Sequence, residues 1–585
     1  MVNFNFRILS FVLCSFLFSF TSFGQIPYSE WFKKIGGTAE QIGNDVEVDS
    51  EGNLYASGSF KGFVDFNPGV SNNGISSISS YDAYVCKYDT LGVFQWVHHY
   101  GGGSIQNVKD MVVDDSDNLL IAGWFQSDVD FDPGSSTDYK LASGVADGFI
   151  SKVNSQGDYQ WMKQFKSTGS GYTYVKSMTL DPSGNIFVAG FFNGTTDFDP
   201  DTSSYNLTSG DPGDLFICKL DSQGNFLWVK HYHGPHLHTV DISISMDSQG
   251  NVVAAGSFYG VVDFNDGPGT FNLTSTTPFG ADIFILKLKP NGDYMWARQM
   301  GGSNMDMAKD VKLDANNNIY ITGSFQGTAD FDPGSGVQEL ETENEFGHNV
   351  FVCKLAWNGE FDWVKHFKGF GMLFSAALVL DDSSNVYITG NFWSTVDFNP
   401  HPTIWNVVSP EGLDDIFITK LDKDGNFRWA EGFGSTSSDV PTSITIDHEY
   451  NVYTTGYFND TIWSDRDEHE YFDVSLGATD AFIHKLMQSD VEIIEEDTSG
   501  IFVEELEWEL AIYPNPVENV LIIEFDQTVT NITLNIRNSL GQLISHKKFE
   551  SFTKIQTQID GPSGVYILEL MTAEGYLKRY KIVKL

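Results

Sequence analysis

The fold is decided by DVKLDANNNIYITGSFQGTADFDPG, residues 310–334. The chain writes this phrase seven times between residues 45 and 463, with the last copy degraded. The glycine that opens GSF recurs as Gly58, Gly123, Gly190, Gly256, Gly323, Gly390 and Gly456, at gaps of 65, 67, 66, 67, 67 and 66 residues. Repetition at a fixed period sets the architecture before any local signal does.

Each unit reads as four short strands. In the first unit these are 45–49 (DVEVD), 54–60, 82–88 and a segment around Trp96. Val46 and Val48 alternate with polar neighbours, the period of a strand with one buried face. Ser50-Glu51-Gly52-Asn53 and Asp89-Thr90-Leu91-Gly92 read as tight turns at one end of the unit. The long DFDPG-type loop and the GGS-type linkers, such as Gly301-Gly302-Ser303, lie at the other end. A tight turn offers no pocket, so ligands are expected on the loop-rich face.

The tryptophans Trp31, Trp96, Trp161, Trp228, Trp296, Trp363 and Trp429 mark the fourth strands. Trp31 precedes the first full unit, and the seventh unit ends near Leu486 without one. The N-terminal strand is therefore expected to complete the last sheet and close a ring with no raw edge. The predicted fold is all-β: a seven-bladed β-propeller followed by a small immunoglobulin-like β-sandwich. A solenoid would need capping repeats instead of a split one.

Composition narrows the partners. The 585 residues carry 34 Lys and Arg against 78 Asp and Glu, a net charge of −44. A surface of that sign excludes nucleic acid and bare anionic membranes as partners, since both require basic protein. It suits divalent cations or basic partners, and it also keeps a secreted chain in solution. Residues 1–24 read as an export signal: Arg7 is followed by the apolar run 8–20 and by small residues before Gln25. That run is too short to span a bilayer comfortably, so the mature chain is expected to have no transmembrane segment. Cys86, Cys218 and Cys353 occupy one slot in three different units, which keeps them too far apart for disulfides and makes them small core residues.

Several recurrent residues invite a functional reading. Asp65, Asp130, Asp197, Asp263, Asp330 and Asp397 recur in the long loop, each with Asp or Asn two places on. Oxygens at that spacing are candidate calcium ligands, although the later glycine and distal glutamate of an EF-hand loop are missing. The same residues also suit Asx turns, in which the side chain caps its own backbone. Asp49, Asp114, Asp181, Asp247, Asp314, Asp381 and Asp447 end the first strand of every unit, and Lys87, Lys152, Lys219, Lys287, Lys354, Lys420 and Lys485 end the third. Both sets fall at the tight-turn end, so Asp–Lys contacts within or between units are expected. His231, His233, His236 and His238 crowd one linker at a spacing that zinc can use. No GxSxG, HExxH or phosphate-loop motif is present, and no catalytic residue is assigned. The irregular positions are Asn349, Trp393, Trp405 and the seventh loop.

Beyond an acidic stretch at 489–509 the repeat is gone and five alternating segments follow. Ile512-Tyr513-Pro514-Asn515-Pro516-Val517, then Leu521-Ile522-Ile523, Leu540-Gly541-Gln542, Gly564-Val565-Tyr566 and a basic end, resemble the C-terminal sorting domain of the type IX secretion system. That resemblance implies a Bacteroidetes-type bacterium, handling by the type IX machinery, and a protein that is secreted or held at the outer cell surface. The repeats resemble the SBBP β-propeller repeat, with its DxxGNxYxxG core, which implies a propeller and no settled activity. The expected domains are 1–24 (signal), 25–487 (propeller), 488–509 (acidic linker) and 510–585 (sorting domain). The expected function is a monomeric, non-enzymatic propeller, for example in adhesion, that binds glycan or protein through its long-loop face. The alternative is an extracellular carbohydrate-active hydrolase or lyase with its site at the propeller mouth.

Overall fold

The computed structural model describes residues 22–67, 74–134, 136–210, 213–234, 241–344, 347–400, 407–408, 412–463, 472–475, 477–493, 510–513, 520–538, 543–559, 564–571 and 577–584. The described residues are strands, turns and irregular chain, with no helix among them. Two compact units divide the chain, Met1–Ile493 and Ile494–Leu585.

Seven sets of four antiparallel strands fill the first unit. Set one runs Gln41–Val48, Leu54–Phe60, Asp82–Tyr88 and Phe94–Tyr100, each paired with the next. The same order repeats through set six. Set seven is built differently. Val440–Ile446, Val452–Phe458 and Asp480–Ile493 receive their fourth strand from Ser22–Gly37, with Trp31 opposite Lys485. The outer strand therefore comes from the opposite end of the unit, as the lone N-terminal tryptophan requires.

The first strand of each set is the inner one: Gln41–Val48, Gln106–Val113, Tyr172–Leu180, Ile242–Met246, Met307–Leu313, Met372–Leu380 and Val440–Ile446. Each packs beside the next, and the seventh packs beside the first, so the inner strands form a cycle around a lumen. Core side chains fill the gaps between neighbouring sets. Tyr55, Val85 and Tyr100 of set one pack with Met111, Ile121 and Phe149 of set two, for instance. The closing gap is filled in the same way, with Ile35, Tyr453 and Ile483 against Val46, Ala56 and Tyr84.

Two features differ from the sequence reading. The inner strand begins earlier than expected, at Gln41 rather than Asp45, because the chain pairs through a bulge between Gly43 and Asp45. The long loop also contains its own two-stranded hairpin, such as Phe63–Asp65 with Gly74–Ser76. Val64 and Phe66 are buried, which gives the hairpin an anchoring face. Its first strand pairs with the outer strand of the preceding set: Gly301 with Asp330, Lys166 with Asp197, and Gly36 with Asp65 across the closure.

The tight-turn end is tied by charge. Asp49 Oδ1 accepts the amides of Glu51 and Asn53 at 3.1 and 2.8 Å, and the Asn53 side-chain amide donates to both oxygens. Gly52 takes φ +82° at the turn. Lys87 Nζ lies 3.0 Å from Asp49 Oδ2 and donates to Ser155 O of the next set at 3.0 Å. Lys152–Asp114, Lys219–Asp181 and Lys287–Asp247 repeat the pair at 2.7, 3.0 and 2.9 Å, and Lys420–Asp381 stretches to 4.0 Å. Lys354 pairs with Asp362 instead, and Lys485 with Glu30 of the closing strand. The reach into the next set recurs at Pro290 O, Trp357 O and Lys423 O, and Lys485 returns to Thr90 O of set one. Beside it, Gly92 at φ +74° sits against the Trp31 ring. Cys86, Cys218 and Cys353 are free and buried.

In the second unit Leu510–Tyr513, Val520–Asn538, Leu543–Gln558, Gly564–Met571 and Leu577–Lys584 form one antiparallel sheet. Val520–Asn538 pairs with three of the others, and its register shifts between Glu524 and Val529. Leu521, Ile523, Ile532, Leu534, Ile555 and Leu568 make its core.

Two predictions follow the closure and the charge ties. Lys287→Met should cost about 3 kcal/mol in urea unfolding, because Asp247 is left buried without its cation, and Asp247→Asn in the same chain should recover part of that loss. Removal of residues 22–37 should expose the edge of Asp480–Ile493. That variant should melt at lower temperature and self-associate in light scattering, whereas an unchanged monomer would contradict the closure.

Candidate functional site

The loop aspartates are turn residues in this fold. Asp65, Asp130, Asp197, Asp263, Asp330 and Asp397 each accept the amide two residues on, at 3.0–3.2 Å. Asp130, Asp197, Asp263 and Asp330 also accept the amide eight residues on, which closes the loop at its base. Calcium needs six to eight oxygens. Among the described residues no group of three or more His, Cys, Asp or Glu is gathered to hold a metal. In the histidine-rich linker, His233 Nδ1 lies 2.8 Å from Asp214 Oδ1 and His231 Nε2 3.8 Å from Asp214 Oδ2. His236, His238 and Trp405 lie outside the described residues.

The lumen holds the charges that break the repeat. Thirteen residues before each GSF glycine, the inner strands carry Asp45, Asp110, Ser177, Ser243, Asp310, Ala377 and Ser443. These side chains bond from one set to the next. Asp45 Oδ2 accepts the Met111 amide at 2.7 Å, Asp110 the Met178 amide at 2.5 Å, and Asp310 the Leu378 amide at 3.0 Å. Ser177 accepts the Ile244 amide at 3.2 Å, and Ser243 donates to Asp310 at 2.7 Å. Ser443 of set seven donates to Asp45 of set one at 2.7 Å, so the belt crosses the closure.

Two residues further along, Glu47 and Lys312 join these acids. Lys312 Nζ lies 3.6 Å from Asp310 Oδ1. Burial pushes Asp45 up to about 6, against the hydrogen bonds from Ser443 and Met111. Burial and the Asp45 charge raise Glu47 and Asp110 well above the usual carboxylate range. Burial alone would weaken the Lys312 ammonium, but Asp310, Asp110, Glu47 and Asp45 outweigh it and raise its pKa. Acids of unlike environment gathered in one place beside a cationic side chain are a feature of functional sites. The sequence reading placed Asp45 in a strand and went no further. The signal was available, as charge at a position where other units carry Ser or Ala.

At the loop-rich end Asp306 and Asp439 open inner strands at equivalent positions. Burial pushes each up to about 7, although Asp306 accepts the Gly302 amide and Asp439 the Ser435 amide, both at 2.6 Å. Exposed apolar side chains gather nearby in sequence and sheet. Met372 lies opposite Trp393 across two strand ends, Phe370 precedes them, and the three are 42, 52 and 71% exposed. Phe279, at 92%, stands on a loop of set four.

Residues 160–195 match the beta-propeller repeat, and residues 511–584 match the secretion system C-terminal sorting domain. The chain carries a type IX sorting domain behind SBBP repeats. Such a domain marks proteins exported by type IX secretion, so the protein is secreted or displayed at the outer cell surface, and the secretion machinery handles it. No helix among the described residues is long and apolar enough to cross a membrane.

Among curated proteins, the chain is 26% identical over 351 residues to an uncharacterized WD repeat-containing protein, L264, of Acanthamoeba polyphaga mimivirus, covering 48% of this chain and 25% of that protein. It is 26% identical over 198 residues to the regulatory protein FlaEY of Caulobacter vibrioides, covering 34% and 20%. The chain thus spans a quarter or less of the length of the curated relatives it matches. Among solved structures, a protein of unknown function from Bacteroides caccae aligns at TM-score 0.30 and 10% identity, covering 60% of this chain and 89% of that one. A fungal alcohol oxidase in complex with copper aligns at 0.37 and 11%, covering 95% and 99%. Likeness at that level says nothing of this chain's chemistry.

The two classes of acid predict a stability optimum in pH. Burial alone would raise Asp49, Asp114, Asp181 and Asp247, but hydrogen bonds from the turn asparagines and the paired lysines hold them below the ordinary 3.8. Their stabilisation is present above that value and is lost as pH falls through their folded pKa values. Asp45, Asp306 and Asp439, held at about 6, 7 and 7, work in the other sense. Their contribution is complete below the unfolded value and declines as pH rises towards 6 to 7. The melting temperature should therefore peak between about pH 4 and 5 and fall on both sides. Asp306→Asn/Asp439→Asn should flatten the decline between about pH 4 and 7, and an unchanged decline would locate it elsewhere.

Proposed function

We propose that the protein is a non-enzymatic seven-bladed β-propeller that binds a glycan or a protein through its long-loop face. The observation that carries this reading is the exposed group Phe370, Met372 and Trp393 at the loop-rich end. Contiguous apolar side chains on a surface of net charge −44 are characteristic of recognition surfaces, and aromatic rings supply the flat faces on which sugars stack. The seven four-stranded sets, their cyclic inner strands and the strand donated from the N-terminal side, of which residues 25–37 remain in the mature chain, support the propeller. On this reading residues 1–24 are removed as a signal, the propeller spans 25–487, an acidic tether spans 488–509, and an immunoglobulin-like sorting domain spans 510–585. The mature protein acts as a monomer in adhesion at a Bacteroidetes cell surface. Bound calcium would stiffen the Asp65-type loops.

The second reading, a carbohydrate-active hydrolase or lyase at the propeller mouth, draws support from the raised carboxyls of Asp45, Glu47 and Asp110. One experiment separates the two. The full mature chain is run on a panel of immobilised polysaccharides and proteins, with calcium and with EDTA, and each probe is then analysed for fragments. Retention without cleavage is expected, and Phe370→Ala/Trp393→Ala should weaken it at least about tenfold. Fragments that disappear in Asp110→Asn would move the protein to the hydrolase class. Loss of retention in EDTA would bring calcium into the loops.

A further inference from the structure

The bulge that displaces each inner strand leaves one residue unpaired in the ladder. In sets one, two, three, five, six and seven these residues are Asn44, Lys109, Lys176, Lys309, Ala376 and Thr442. In set four the inner strand begins at Ile242, and Asp241 stands just before it. Four consecutive inner strands therefore present Lys109, Lys176, Asp241 and Lys309 to the lumen, three cations against one anion. Lys309 Nζ is paired with Asp241. Among the described residues, neither Lys109 nor Lys176 has a carboxylate at ion-pair distance, and both are half-buried. Burial first, then the Lys176 and Lys309 charges, lower Lys109 to about 8 against the opposing Asp241 charge, so the positive charges act on one another. The other half of the circle is small and neutral: Ala376, Thr442, which donates to Gly43 O, and Asn44, which donates to Val108 O.

Three rings stand on the loop-rich side of these lysines. Tyr172 and Tyr174 lie on the strand that leads to Lys176, stacked at 4.7 Å and 20°. Trp124 of set two packs on Tyr174 at 4.9 Å. All three are part-exposed. A positive collar below an aromatic wall, in a chain of net charge −44, matches a sugar ring that carries an anionic group. The ring stacks and its charge meets ammonium groups.

We propose that Lys109, Lys176 and Lys309, with Trp124, Tyr172 and Tyr174, form a subsite in the lumen mouth for an acidic saccharide bearing a uronate carboxylate or a sulfate ester. This deepens the binding function proposed above and rests on it. Loading from the loop-rich end places the anion at the collar, and the acids at Asp45 and Asp110 one level further in bar it from passing through.

The test uses the mature full-length chain in calorimetric titrations with three soluble probes: a tetragalacturonate, a sulfated tetrasaccharide and neutral maltotetraose. At least one acidic probe should bind and the neutral one should not, and comparison of the two acidic probes assigns the anion. Lys109→Gln/Lys176→Gln should weaken binding at least about tenfold, as expected when a charged hydrogen bond is lost. Lys109→Arg/Lys176→Arg should retain it, and Tyr174→Ala should weaken it with the charges intact, which keeps the test valid if the glutamine variant folds poorly. Acidic probes that bind equally to wild type and to the lysine and tyrosine variants would overturn the subsite and leave the loop-face reading standing. So would failure of both acidic probes while the Trp393 surface still retains a neutral glycan or a protein. Failure of every probe and of every panel ligand removes both.

Discussion

The ladder between Ser22–Gly37 and Asp480–Ile493 is the interaction on which the ring depends. Without it, the seventh set would show an unpaired row of backbone amides and carbonyls along Asp480–Ile493, and the first hairpin would lose its outer-strand partner at Gly36 and Gly37. Main-chain pairing alone does not hold the closure. Ile35 and Ile483 complete the apolar filling between the last and first sets, Lys485 takes Glu30 and Thr90 O, and Trp31 covers Gly92. The seam is built from the same kinds of part as the other junctions, with Glu30 standing where a turn aspartate meets the lysine in five of them.

Two polar circuits run round the molecule at different depths. The outer one, at the tight turns, pairs a buried aspartate with a lysine that also reaches the next set. Asp49, Asp114, Asp181 and Asp247 are stabilised in the charged form, because turn amides, an asparagine and an ammonium surround each of them. The inner one, along the lumen, uses aspartate and serine side chains to catch the amides of the neighbouring inner strand. There Asp45, Glu47 and Asp110 crowd one another, and burial favours their neutral forms. Regular pairing in the outer circuit is a property of the scaffold. Irregular charge in the inner circuit is a property of this chain, and the lumen is where its chemistry departs from seven-fold symmetry.

The repeat made much of the fold legible in advance. The split tryptophan count pointed to a donated strand because a ring tolerates no open edge, and the structure pairs Trp31 with Lys485. The lysine and aspartate columns could be placed at the tight-turn end because strand alternation fixes which end of a unit each residue reaches. The loop aspartates were legible only as two alternatives, calcium ligands or turn caps, since both uses demand the same residues at the same spacing. In the structure one oxygen of each, Oδ1, accepts backbone amides of its own loop.

The sequence by itself determined the number of units, the donated strand and the destination implied by residues 511–584, because periodicity and a local motif survive in one dimension. Only the tertiary structure decided which charges meet. Asp45 and Ser443 are 398 residues apart and share a hydrogen bond of 2.7 Å, and Lys109 faces Lys176 from another set. Such encounters depend on the closed circle, which the repeat implied, and on a bulge that turns one residue out of the ladder in six of the inner strands, which the spacing of the residues concerned does not encode.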